Sequence, residues 1–308
     1  MNIPHQAVTQ IGLVHFMAFP FAMSGEGDII ASIERLAEDD FFSLLEITTI
    51  KDPVTRAAAR SIAAAAHMDL GYCAIPIILG NKLNVNALDE SERLAVVSRL
   101  KESIDEAHEI GASMWTFLAG PYAGEETETE QLDALTRSTL EFCRHAEPYG
   151  ITVDCEQFDR SIEKKSLIGP AALTRSLAER IRSEVDNFGI CLDLSHLPIL
   201  GEKAADIVPL MGDYFIHAHA GNAYLKDPDD PFYGDQHPRF GYPESENDVA
   251  ELADYIEVLW SSGYFQRHVP SRLPVFTFEI KTGPAEDVGV MLANIKRVFF
   301  EAWGKAST

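Results

Sequence analysis

Residues Gly189–His219 read GICLDLSHLPILGEKAADIVPLMGDYFIHAH. The apolar run Gly189–Leu192 and the apolar run Tyr214–His219 flank an amphipathic segment around 202–210, so the stretch predicts a strand, a helix and a second strand. Both runs are apolar on successive residues, the pattern of parallel strands covered on both faces. Each run also closes on polar residues, Asp193 with His196 in the first and His217 with His219 in the second.

Working outward, the same alternation recurs along the whole chain. Strands are predicted at Ile11–Phe16, Ser43–Thr48, Leu70–Ile75, Ser113–Leu118, Thr152–Cys155, Gly189–Leu192, Tyr214–His219 and Val275–Ile280. Helices are predicted around 28–39, 55–67, 88–109, 127–147, 171–185, 202–210, 246–262 and 284–303. Thr55–Met68 is rich in Ala and Arg, which favour helix, and Asp89 with Glu92 three residues on approaches a capping box. Eight such units without a break in composition predict an α/β fold, a single (β/α)8 TIM barrel over residues 1–308. An open nucleotide-binding sheet should carry a Gly-rich first turn, and the first turn here is Met17-Ala18-Phe19-Pro20. One connection departs from the pattern. Ala220–Ser245 is far longer than the usual βα loop and is dense in Asp, Pro, Gly and aromatics, which predicts a functional loop over the barrel mouth.

Charge and composition narrow the function classes. A formal net charge of −23, with 25 Lys and Arg against 48 Asp and Glu, opposes binding to nucleic acid or an anionic membrane. No apolar stretch is long enough to cross a bilayer. The four cysteines, Cys73, Cys143, Cys155 and Cys191, form no CxxC pair, and three lie in apolar runs, so buried free thiols are expected. No basic segment followed by an apolar run opens the chain, and a cytoplasmic location is expected.

In a barrel of this kind, polar residues at the C-terminal ends of strands carry the chemistry. Strand five closes on Asp154-Cys155-Glu156, strand six on Asp193, strand seven on His217-Ala218-His219 and strand eight on Phe278-Glu279. Three carboxylates and an imidazole thereby meet at one rim, where the carboxylates repel each other unless a cation lies between them. Glu156, Asp193, His219 and Glu279 are the expected metal ligands. Oxygen donors with one imidazole suit Mn2+ first, with Mg2+, Co2+ and Zn2+ as alternatives. Glu46 at the end of strand two and Trp115 near the end of strand four are candidate substrate contacts, Trp115 as an apolar wall for a sugar ring. His15 reads as a hydrogen-bonded core residue.

The ordered set Glu156, Asp193-x-x-His196, His217-x-His219 and Glu279 resembles the xylose isomerase-like barrels, which include ketose 3-epimerases, sugar isomerases and endonuclease IV. The resemblance runs through the whole chain in element order and is most specific from Thr152 to Thr282. It implies a sugar isomerase or epimerase in which one divalent ion binds a substrate carbonyl and neighbouring hydroxyl and stabilises an enediolate. Glu156 and Glu279 would then be acid–base groups as well as ligands, His196 would hold a substrate oxygen, and His217 would face substrate. Many ketose epimerases place a Glu and an Arg after the strand-seven pair. Here Ala220–Leu225 has neither, and His237 and Arg239 in the long loop are the expected substitutes. The resemblance also implies a homo-oligomer. Two other readings accompany it: a C-glycoside deglycosidase catalytic subunit, a metal-dependent lyase working with a small partner subunit, and a non-catalytic carbohydrate-binding barrel. An endonuclease would need more His ligands and a basic face, which this acidic chain lacks.

Overall fold

The computed structural model describes residues 4–306. Eight parallel strands close in sequence order into a barrel: β1 Gln10–Val14, β2 Leu44–Ile47, β3 Asp69–Cys73, β4 Met114–Leu118, β5 Thr152–Glu156, β6 Phe188–Asp193, β7 Phe215–Gly221 and β8 Val275–Glu279. β1 pairs with β8 from Gln10↔Val275 to Leu13↔Phe278, which completes the ring. Every predicted strand is found within a few residues, and the eight predicted helices occur at Ile29–Ala37, Pro53–Ala65, Glu90–Ile110, Glu128–Ala146, Ala171–Arg182, Ala204–Met211, Val249–Ser261 and Val288–Ala306.

Local chemistry sets the helix ends. Asp52 accepts from the Thr55 amide with Pro53 in the first turn, and Asp89 accepts from the Glu92 amide. Asp248 and Glu251 form a full capping box. Each satisfies N–H groups that have no partner inside the helix. Among the described residues, no helix is long and apolar enough to cross a membrane. All four cysteines are free and buried.

Strand alternation divides the core into two parts. Outward side chains pack under the helices. Trp115 is one of these: fully buried, it lies 5.4 Å from the Phe117 ring and 5.2 Å from Phe142, and its Nε1–H donates to Ser103 in the helix Glu90–Ile110. The expectation that it walls a sugar site is therefore corrected, because its ring faces away from the barrel axis. Inside the barrel, Leu44, Met114 and Val275 form a small separate apolar cluster. Toward the C-terminal ends of the strands the interior turns polar, with Glu46 on β2 and Asp154, Glu156, Cys191, Asp193, His217 and His219 on β5 to β7 all buried.

Gly12 on β1 keeps that interior closed at the β1–β8 seam. A Cβ there would meet Thr277 Oγ1 at 2.3 Å and Leu44 Cδ2 at 3.0 Å. Gly12→Ala is expected to cost about 1–3 kcal/mol by overpacking. Denaturant unfolding of Gly12→Ala and of the Gly12→Ala/Thr277→Ala pair checks this, the second change recovering part of the loss.

Candidate metal centre

The i, i+2 spacing on parallel strands turns both residues of each pair inward. Asp154 and Glu156, Cys191 and Asp193, His217 and His219, and Thr277 and Glu279 thus form two stacked layers. In the deeper layer His217 lies between two carboxylates, Nδ1 at 2.9 Å from Asp154 Oδ2 and Nε2 at 2.9 Å from Glu46 Oε1. Ionised carboxylates only accept, so both ring nitrogens donate and His217 is an imidazolium. Burial alone would lower its pKa, but Glu46 and the neighbouring acidic groups hold it well above the usual range. For Glu46, burial acts to raise the pKa, and His217 and His219 hold it well below the usual carboxylate value. Both residues are fully committed beneath the site. The expectation that Glu46 and His217 touch substrate is corrected accordingly.

The upper layer brings Glu156, Asp193, His219 and Glu279 together, with one donor atom from each within 4.8 Å of all the others. Glu46 Oε2 accepts a hydrogen bond from His219 Nε2 at 3.1 Å, which leaves Nδ1 as the nitrogen that faces the other three residues. That nitrogen lies 2.9 Å from Glu279 Oε2 and 3.4 Å from Glu156 Oε1, so without an ion His219 donates from both nitrogens. Burial acts to lower its pKa, but Cys191, Glu46 and Glu156 hold it well above the usual range. A cation would take the Nδ1 lone pair in place of that proton. Both Glu156 oxygens and Asp193 Oδ2 are buried without a hydrogen-bond partner. Lone pairs facing lone pairs in a buried space require a proton or a cation. A divalent ion fits this donor set, and the Glu46 contact to the far side of His219 is the usual support of a ligating imidazole. Burial pushes Glu156 up to about 7, with Glu279 adding to the rise and His219 opposing it. Glu279 is also subject to burial, but His237 and His219 hold it below its usual value.

A second group adjoins the first. The Nδ1–H of His196 donates to the Gln157 carbonyl, and that of His237 to the Glu279 carbonyl at 3.1 Å. Both Nε2 atoms then converge on Asp235 Oδ1, at 3.0 Å and 2.9 Å. Asp193, His196 and His237 also offer donor atoms within 4.8 Å of one another, so this group has the composition to hold a second ion sharing Asp193. His196 is wholly buried, its Nε2 3.0 Å from Asp235 Oδ1 yet without a hydrogen-bond partner. Asp235 was missed in the sequence, where the only signal is its place two residues before His237. Lys164 pairs with it at 3.3 Å.

The long loop delivers these residues. His237 adopts a left-handed backbone, φ 50°, which is strained for a non-glycine residue. Its ring packs so close to Gly221 that a Cβ there would lie 2.7 Å from His237 Nδ1 and 3.1 Å from Asp193 Oδ1. Arg239 turns away: its Nε donates to Glu286 at 3.1 Å and it lies outside the cavity, so it is corrected as a substrate contact. His15 is buried against Ser32 at 2.8 Å, and burial pushes it down to about 4, leaving a neutral core residue.

Above the centre opens a cavity of about 560 Å3, with Lys164, Asp235, Gln236, His237, Glu279 and Lys281 along one side. The family model for the xylose isomerase-like TIM barrel matches residues 33–265. The chain belongs to that family. Among solved structures it is similar to a D-tagatose 3-epimerase-like protein, at 19% identity over 96% of this chain and 99% of that one, TM-score 0.68. It is also similar to an L-ribulose 3-epimerase, at 16% identity over 97% and 91%, TM-score 0.66. The D-psicose 3-epimerase of Clostridium cellulolyticum H10, solved with D-tagatose, aligns at 15% identity over 97% and 96%, TM-score 0.62. No curated protein sequence matches.

Two outcomes are expected from this geometry. Glu46→Gln should weaken divalent-metal affinity about 10–100-fold, read by competition with a chromogenic chelator. In metal-free protein, Glu156 titrates near 7 when folded and near 4.5 when unfolded, so its protonated form stabilises the fold at low pH. That contribution is lost as pH rises through about 7. Chelator-treated Glu156→Gln is therefore expected to exceed wild type in stability at about pH 8, by up to roughly 3 kcal/mol, and to lose the advantage by about pH 5.

Proposed function

We propose that this chain is a divalent-metal-dependent isomerase or epimerase acting on a sugar or keto-sugar derivative. The observation that carries the reading is the convergence of Glu156, Asp193, His219 and Glu279 around one point, with buried oxygens left unpartnered. The solved structures of the same fold that are named as ketose 3-epimerases support it, as does a cavity of monosaccharide size or larger above the centre. Manganese is the ion we expect, on the oxygen-rich donor set.

A divalent ion there supplies Lewis acidity, which polarises a substrate carbonyl and makes the adjacent C–H acidic. Of the four expected ligands Glu279 is the one that lines the cavity, its side chain 12% exposed, and its depressed pKa keeps it ionised as a base. Glu156 lies in the same layer, wholly buried, with two oxygens free of hydrogen bonds. Glu279 removes the proton next to the carbonyl, and Glu156 returns one to the same carbon. The Lys281 ammonium, which donates to Gln236 at 2.8 Å, has further N–H groups for a sugar hydroxyl. His237 and the loop around it shield the centre from water.

The test is solvent-deuterium uptake into D-tagatose, D-psicose and L-ribulose by manganese-loaded protein, followed by NMR. Uptake next to the carbonyl in at least one ketose is expected, falling by about two to four orders of magnitude in Glu156→Gln. A protein that holds its full metal complement and exchanges none of them would overturn the reading.

A further inference from the structure

The N-terminal end of the barrel, opposite the metal centre, holds a second cavity of about 550 Å3. It is lined by Thr152 of β5, Phe188 of β6, Ile216 of β7 and the segment 267–270 that leads toward β8. A break in the strand ladder lies beside it. β6 pairs with β7 at Ile190↔Phe215 and then at Cys191↔His217, so Ile216 has no partner residue in β6. Its side chain lies over Gly189, where a Cβ would come within 2.3 Å of Ile216 Cγ1. A bulge of this kind bends its strand and interrupts the pairing.

This cavity gathers unmatched positive charge in a chain of formal net charge −23. Many arginines pair with carboxylates, among them Arg56 with Glu109, Arg144 with Glu184 and Arg272 with Asp69. Arg182 and Arg267 line the cavity, and among the described residues their hydrogen bonds go to backbone carbonyls alone. Arg182 Nη1 donates to the Phe188 carbonyl at 3.1 Å, and its buried Nε has no partner. Arg267 donates to the carbonyls of Gly212 at 2.7 Å, Phe215 at 3.0 Å and Ser262 at 3.2 Å. Each guanidinium has five N–H groups, so both keep donors unspent. Burial lowers the Arg267 pKa, with Asp213 acting against the shift, as expected of a cation short of counter-charge. The charges are also ordered in depth: the two guanidiniums are half-buried, while Asp186, Asp213 and His268 are exposed.

We infer that this cavity binds a small polyhydroxylated oxyanion, a phosphate ester or a carboxylate, with its anionic head at Arg182 and Arg267 and its hydroxyls toward Asp186 and Asp213. Guanidinium forks match the paired oxygens of such a head, and the outer carboxylates accept from hydroxyls. The same carboxylates repel a long polyanion, so nucleic acid is not the ligand. This site stands apart from the reaction proposed at the metal centre and does not depend on it.

The experiment is calorimetric titration of manganese-loaded protein with inorganic phosphate, glycerol 1-phosphate and D-gluconate. Saturable binding of at least one probe is expected, weakened about tenfold or more in Arg182→Gln and in Arg267→Gln. Both arginines also close backbone carbonyls, so Asp213→Asn tests the same charge balance at an exposed side chain. The tightest probe should gain up to about fivefold in that variant at low salt, because the amide oxygen still accepts a hydroxyl while the repulsion is gone. Binding should persist in His219→Ala, which locates it away from the metal centre. Binding of the phosphates alone assigns a phosphoryl head, and of D-gluconate alone a carboxylate head. No saturable binding of any probe at millimolar concentration overturns the inference, as does an affinity unchanged in the two arginine variants or in Asp213→Asn. Loss of binding in His219→Ala also overturns it, since the anion would then sit on the manganese.

Discussion

The centre of this barrel is a concentration of buried charge that cannot balance itself. Glu46, Asp154, Glu156, Asp193 and Asp235 are all withdrawn from water within one end of the barrel, and the facing bases are imidazoles. Desolvating an isolated carboxylate costs several kcal/mol. In the lower layer the debt is met by protonation, since His217 donates to both Asp154 and Glu46. In the upper layer a proton on His219 serves Glu46 and Glu279 but does not reach every carboxylate oxygen. Glu156 retains two buried oxygens and Asp193 one without partners, which a cation among the four residues would satisfy. The two layers are therefore one device: the lower orients the ligand that the upper needs.

The rest of the fold serves that arrangement. Strand parity stacks the paired residues, and the β1–β8 seam at Gly12 and Thr277 sets how tightly the ring closes around them. The connection after β7 crosses back to insert His237 and Asp235, which is possible only because Gly221 has no side chain. Asn222 and Asn247 tie that connection down through bonds to Arg239, Ser245, Leu194 and Gly221. The strain at His237 is thus held by its surroundings.

Much of this was legible from residue order. The eight strands stand out as apolar runs bounded by turns, and Glu156, Asp193, His219 and Glu279 stand out as polar endings of apolar strands. What escaped the sequence has physical reasons. Strands buried on both faces show no alternation, so nothing in MWTFL says that Trp115 points outward while Thr116 points in. The short helices His15–Ala18, Ile75–Gly80 and His196–Leu200 are too brief to show a helical period. Asp235 and the facing direction of Arg239 depend on how the long loop after β7 folds back, which no local pattern encodes. Glu46 and His217 were found as residues of interest, but their depth below the rim depends on register between strands distant in sequence.

The most direct test of the central claim is the thermal stability of the protein at neutral pH before and after removal of bound metal with a chelator. If a divalent ion balances the upper layer, stripping should lower the Tm by several degrees, and stoichiometric manganese should restore it. The restoration should vanish in His219→Ala. A Tm indifferent to both chelator and manganese would mean that protons alone balance these carboxylates, contradicting the account.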